Sequence, residues 1–154
     1  MKFALTVTLT SSLLATTAQA ACAPDVVTVQ GDFGRARFSV DVADTEAARA
    51  KGLMYVEEMG TFEGMLFVYD APRPASFWMR NTLIPLDMIF AEADGTIANI
   101  HAEAIPLDET PIFGGEAIAY VLEVNGGLAE RLGIAPGDVL QHPAIGPDPA
   151  APCE

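Results

Sequence analysis

Hydrophobic and polar positions alternate most cleanly over residues 36–42. Ala36, Phe38, Val40 and Val42 fall on one face, and Arg37, Ser39 and Asp41 on the other. That period of two predicts a half-buried antiparallel strand. Residues 26–30 read as a shorter strand before it, with Gly31-Asp32-Phe33-Gly34 as the turn between. The pattern then changes. Asp44 is placed to cap a short helix over residues 45–51, with Glu46 in its first turn, Arg49 and Lys51 in its last, and Gly52 ending it. Residues 54–63 show no period. Residues 65–69 form a short apolar strand, and Asp70-Ala71-Pro72-Arg73-Pro74 reads as a turn.

Residues 77–87 organise the middle of the chain. They hold the only Trp, a polar set (Arg80, Asn81, Thr82) and an acid, Asp87, set in an apolar run. Strands are expected over residues 75–80 and 86–93. Pro85 cannot donate to a central ladder, so a polar corner must join them. Asp94-Gly95 is a two-residue hairpin signal, with residues 96–103 as the returning strand. Residues 106–116 read as a loop. Residues 117–124 are nearly continuous apolar sequence and predict a central strand buried on both faces. Gly126-Gly127 leads to a short helix over residues 128–132, stopped by Gly133, and residues 139–142 make a last strand. The Pro-rich tail that follows has no regular pattern. These elements predict a compact α+β domain, mostly antiparallel and barrel-like, with two short helices.

Residues 1–20 stand outside that pattern. Lys2, an apolar stretch and Ala18-Gln19-Ala20 make a signal peptide with a cleavage site. The remainder, residues 21–154, is one domain's length. The expected location is therefore the periplasm or the exterior. Lys2 is one of eight basic residues; the other seven face 21 acidic ones, a net charge of −14. Such a surface disfavours nucleic acid and anionic membranes, and no membrane span is expected after cleavage. Cys22 and Cys153, at the two ends, are expected to form a disulfide in an oxidising compartment.

Six blocks occur in a recognisable order. They are Gly52-Leu53-Met54-Tyr55, Gly64-Met65-Leu66-Phe67-Val68, Phe77-Trp78-Met79-Arg80-Asn81-Thr82, Ile84-Pro85-Leu86-Asp87, Val121-Leu122-Glu123, and Leu132-Gly133-Ile134 with Gly137-Asp138. Over about residues 44–140 the chain resembles the domain-of-unknown-function family number 192, small and often exported prokaryotic domains. The resemblance implies a compact β-rich domain and no established reaction, cofactor or substrate. It departs at Val56, where the family usually has an Arg. Arg49 or Arg73 could stand in for that contact.

The residues themselves carry little catalytic signal. The methionines lie mostly in apolar runs, as core residues do, rather than in a Cu(I) cluster. The terminal cysteines and the distant His101 and His142 do not make a zinc set. Asp108-Glu109 with Glu116 lacks EF-hand spacing. No metal and no cofactor is expected. An Asp87–His101 dyad depends on hairpin register. A two-residue loop pairs His101 with Met88 and turns it away from Asp87, whereas a three-residue loop sets it opposite Asp87. Ser76 has no histidine near it, and no nucleophile elbow is present.

What remains is a candidate ligand-binding set: Trp78, Arg80, Asn81, Thr82, Asp87 and Glu123. Its alternative is structural, with Asn81 and Thr82 bonding the corner backbone and Asp87 capping or pairing. The leading expectation is an exported, non-catalytic domain for a small molecule, sugar or peptide. The others are a hydrolase-like enzyme using Asp87 or Glu123, and a periplasmic metal-binding protein.

Overall fold

The structure, a computed structural model, describes residues 22–153. The predicted signal peptide lies outside the described residues. The elements run β1 (Val26–Gly31), β2 (Gly34–Ala43), α1 (Glu46–Lys51), β3 (Glu63–Phe77), β4 (Leu86–Ala91), β5 (Ile97–Ala104), β6 (Ile112–Asn125), α2 (Leu128–Leu132) and β7 (Val139–Gln141). This is the expected α+β class. The strands form one seven-stranded sheet in the order β5-β4-β6-β3-β2-β1-β7, which curls into a half-barrel. Only β2 and β3 are parallel. A bridge between Thr96 and Val139 draws the two edges together.

The sheet buries apolar residues on both faces, and parity along each strand decides which side chain goes where. On the concave face, Val29, Phe38, Leu66, Ile89, Leu122 and Leu140 form a core with Leu128 and Ala129 of α2. On the other face, Phe67, Met88, Phe90, Ile118 and Val121 pack with Leu53 and Met79. Strand β6 supplies residues to both, Tyr120, Leu122 and Val124 to the first and Ile118 and Val121 to the second. That explains its unbroken buried run from Ile118 to Val124.

Five local expectations need correction. The helix cap is Thr45, not Asp44: Thr45 Oγ1 accepts the Ala48 N–H at 3.2 Å. Residues 70–74 do not turn but continue β3, and residues 112–116 are not loop but the start of β6. Pro72 and Pro74 have no N–H to give, so the ladder is interrupted there instead. The β3–β6 register jumps from Val68↔Tyr120 to Arg73↔Ile118, and β3 bulges between them. The strand then stops at Phe77, and residues 78–80 belong to the corner. Last, the β4–β5 hairpin closes with three residues, not two. Glu92 N–H donates to Thr96 O, and Gly95 takes φ 90°. A compensating shift between Phe90 and Ala91 restores the two-residue register, so Met88 still pairs with His101.

The chain ends are tied. Cys22 and Cys153 form the expected disulfide. Nearby, buried His142 donates from Nε2 to Pro24 O at 3.0 Å and accepts the Ala144 N–H at Nδ1.

Candidate ligand cleft

Glu123 and Asp87 sit almost side by side in the sheet, since Asp87 pairs with Val124 and Met88 with Glu123. Because adjacent residues of a strand point to opposite faces, their side chains diverge. Asp87 enters the concave core and is fully buried. Its Oδ1 accepts the N–H groups of Glu103 and Gly127, and its Oδ2 that of Ala129, each at 2.8 Å. The last two belong to the entry into α2, whose own cap, Gly127, has no side chain to offer. Asp87 thus closes the start of α2 and steadies β5, and it stands apart from any cleft.

Glu123 points the other way, beneath α1. It is only 4% exposed. Burial alone pushes its carboxyl up to about 8, with no hydrogen bond or charged neighbour drawing it back. At neutral pH it therefore holds its proton and acts as a hydrogen-bond donor as well as an acceptor. No buried side-chain oxygen among the described residues is sealed off without a partner. The Glu123 carboxyl instead opens into a cleft of about 210 Å³.

The walls of that cleft come from four places. The loop after α1 brings Leu53 and Met54; β3 brings Phe67, Tyr69 and Phe77; the corner brings Trp78, Arg80 and Thr82; and α1 brings Arg49 with Lys51. Gly52 makes the loop possible. Its φ is 51°, and it rides over the Phe67 ring, where a side chain would be both strained and crowded. Phe77 is wedged edge-on between Phe67 and Phe90, with centroids at 5.1 and 5.7 Å, so the floor is rigid. Two guanidinium groups flank Tyr69, Arg49 at 5.2 Å and Arg73 at 5.3 Å from its ring centroid. Arg49 is held further by Nη1 bonds to Asp44 O and Val68 O. The Tyr69 hydroxyl is pushed up by burial, against the pull of Arg73 and Arg49.

Of the residues singled out from the sequence, Trp78, Arg80, Thr82 and Glu123 line the cleft together. Asn81 stands just behind it. Its Nδ2 lies 3.8 Å from Met54 Sδ, and its carbonyl accepts the Tyr55 N–H. Both Asn81 and Tyr55 have positive φ, at 56° and 65°. Asn tolerates that region; Tyr does so only under constraint. The Asp87–His101 dyad does not form, because His101 pairs with Met88 and is exposed. Val56, where the family Arg was expected, opens onto a separate groove with Asp41, Glu58 and Glu63, while Leu53 lines both hollows. Sequence reasoning missed Tyr69 and the pairing of Arg49 with Arg73. The available signal was the scarcity of basic residues: three of the seven lie in or beside the Gly52–Tyr55 and Phe77–Thr82 blocks.

Among the described residues, no three His, Cys, Asp or Glu side chains come together to hold a metal ion. No helix there is long and apolar enough to cross a membrane.

Fold and cleft together define a β-rich half-barrel domain with one buried acid exposed to a ligand-sized hollow. The family model of DUF192, described as "Uncharacterized ACR", matches residues 26–142, and the chain belongs to this family. A protein of unknown function from Novosphingobium aromaticivorans DSM 12444 is similar at 47% identity and TM-score 0.74, over 85% of this chain and 99% of that one. A protein from Sinorhizobium meliloti 1021, described as "a putative transcription regulator", is similar at 40% identity and TM-score 0.77, over 82% and 99% of the two chains. No curated protein matches.

Proposed function

We propose that this chain is an exported, non-catalytic binding domain for a small molecule, and that the Glu123 cleft is its site. The observation that carries this is the Glu123 carboxyl itself. It is buried, it has no partner within the protein, and it faces an aromatic-walled hollow. The carboxyl is not sealed off but open to the cleft, so a ligand with a complementary group would take the place of solvent on it inside an aromatic-walled site. At about 210 Å³ the hollow is below the usual drug-sized range of about 300–1,000 Å³, so the ligand is small. The Cys22–Cys153 bridge supports export, since such bonds persist in oxidising compartments.

The hydrolase reading is weaker on the same geometry. Glu123 is the one acid that lines the cleft and no histidine joins it, so no acid–base pair is assembled there. A role on DNA is disfavoured by the charge of −13. Trp78 is the only Trp and is half exposed at the cleft wall. Its fluorescence should therefore change as sugars, amino acids, short peptides and small organic acids are screened against the disulfide-bonded chain. A hit that Glu123→Gln weakens supports the reading. A screen silent in fluorescence and calorimetry alike rejects it.

A further inference from the structure

The distribution of charge around the cleft says what kind of small molecule it takes. Among residues 22–153 there are seven basic side chains: Arg35, Arg37, Arg49, Lys51, Arg73, Arg80 and Arg131. Arg49, Lys51 and Arg80 line the Glu123 cleft, and Arg73 stands over the same Tyr69 ring as Arg49. The acids avoid it. Of 21 acidic residues in the chain, Glu123 alone lines the hollow. The neighbouring groove beyond Leu53 is the reverse, with Asp25, Asp41, Glu58 and Glu63 and no basic residue. A solubilising acidic surface would place its few cations with no such bias.

We infer that the cleft selects a small organic carboxylate with a flat apolar body, its anionic end on Arg49, which lines the cleft and shares the Tyr69 ring with Arg73, and a polar group at its other end on Glu123. This rests on the binding reading above. Guanidinium groups bind carboxylates through paired N–H donors. Arg49 gives only Nη1 to the backbone carbonyls of Asp44 and Val68, so its remaining N–H groups are free for a ligand. Tyr69 holds both guanidinium groups on its ring, a fixed spacing that does not need the ligand to create it. Phe67, Phe77 and Trp78 also line the cleft, suited to a ring rather than to a hydrated ion. The floor carboxyl offers both a donor and an acceptor, the complement of a hydroxyl. Arg73 lines two outer grooves together with Arg49 and Tyr69, where Glu46 and Asp70 also stand.

The test pairs acids with neutral analogues of equal shape: benzoate, phenylacetate and 4-hydroxyphenylacetate, each against its amide, titrated at pH 6.5 into the disulfide-bonded chain and read by Trp78 fluorescence and calorimetry. The acids should bind at least about tenfold tighter than their amides, and added salt should weaken the acids alone. Arg73→Gln, an exposed site, should shrink the acid–amide ratio while leaving amide binding in place. Lys51→Gln is the second variant if Arg73→Gln folds poorly. Equal binding of acid and amide would overturn the inference and leave the cleft standing as a binding site. No binding of either by about 10 mM, the weak end of specific recognition, would overturn both.

Discussion

Two acids one rung apart in the same sheet behave as opposites. Asp87 is fully enclosed, and three backbone N–H groups point at it. Glu123 is nearly as buried and receives nothing from the protein. The difference follows from the pleat alone, which sends neighbouring side chains to opposite faces. On the concave side, α2 needs an acceptor at its start, because Gly127 cannot cap it. On the other side, α1 and the corner leave an opening. A buried acid with every bond made is part of the fold; one with none made, facing an open cleft, is the ground for the proposed ligand site.

The largest expected effect breaks the first half of that contrast. Asp87→Ala leaves three buried N–H groups without an acceptor and should cost about 3–5 kcal/mol in denaturant unfolding. Asp87→Asn keeps one oxygen and should cost less. A loss under about 1 kcal/mol for the alanine variant would mean that α2 is closed by other means.

Removing the bridge should come next. Replacing Cys22 and Cys153 by Ser opens a loop spanning 131 residues and should cost about 2–4 kcal/mol. The effect should be lopsided. Hydrogen exchange should rise along β1 and β7, beside the tied ends, while amides of β6 around Glu123 keep their protection. Uniform loss would show that the cleft side depends on the tie as much as the concave core does.

The second half of the contrast is sharpened by pH. The Glu123 carboxyl rises from an ordinary 4.5 to about 8 in the fold. Between those values the folded chain holds a proton that the unfolded chain has released. The group's contribution is therefore fully present below about pH 4.5 and is lost as pH rises through about 8. Glu123→Gln removes that dependence. The stability of the variant relative to the native chain should rise by about 2–3 kcal/mol between pH 5 and pH 7 and level off above about pH 8. A difference flat with pH, from urea melts, would mean that Glu123 finds a partner in solution.

The smallest effect concerns the corner. Asn81 has φ 56°, so Asn81→Ala should cost about 1 kcal/mol in thermal melts and Asn81→Gly almost nothing. Equal losses would assign the cost to the Met54 contact rather than to the backbone.

Much of this was legible along the chain. The run ending at Glu123 announces the central strand, and α2 lies where Gly126-Gly127 and Gly133 place it. Local rules failed where partners from far away decide. Pro72 and Pro74 read as a turn, yet β6 holds the backbone extended on either side of the bulge. Asp87 and Glu123 looked like one polar set, because their faces depend on the β4–β6 register, which no local pattern contains. The Arg49–Tyr69–Arg73 stack needs α1 folded over β3, again a long-range event.

The proposed site stands on Glu123 being an uncommitted, protonated acid. The most direct measurement is a carbon-13 NMR titration of the side-chain carboxyls, with the Glu123 resonance assigned by its loss in Glu123→Gln. A midpoint near 8 is expected for this carbon. A midpoint near 4.5 would contradict it: Glu123 would then be solvated or paired, and the cleft would have no vacancy to fill.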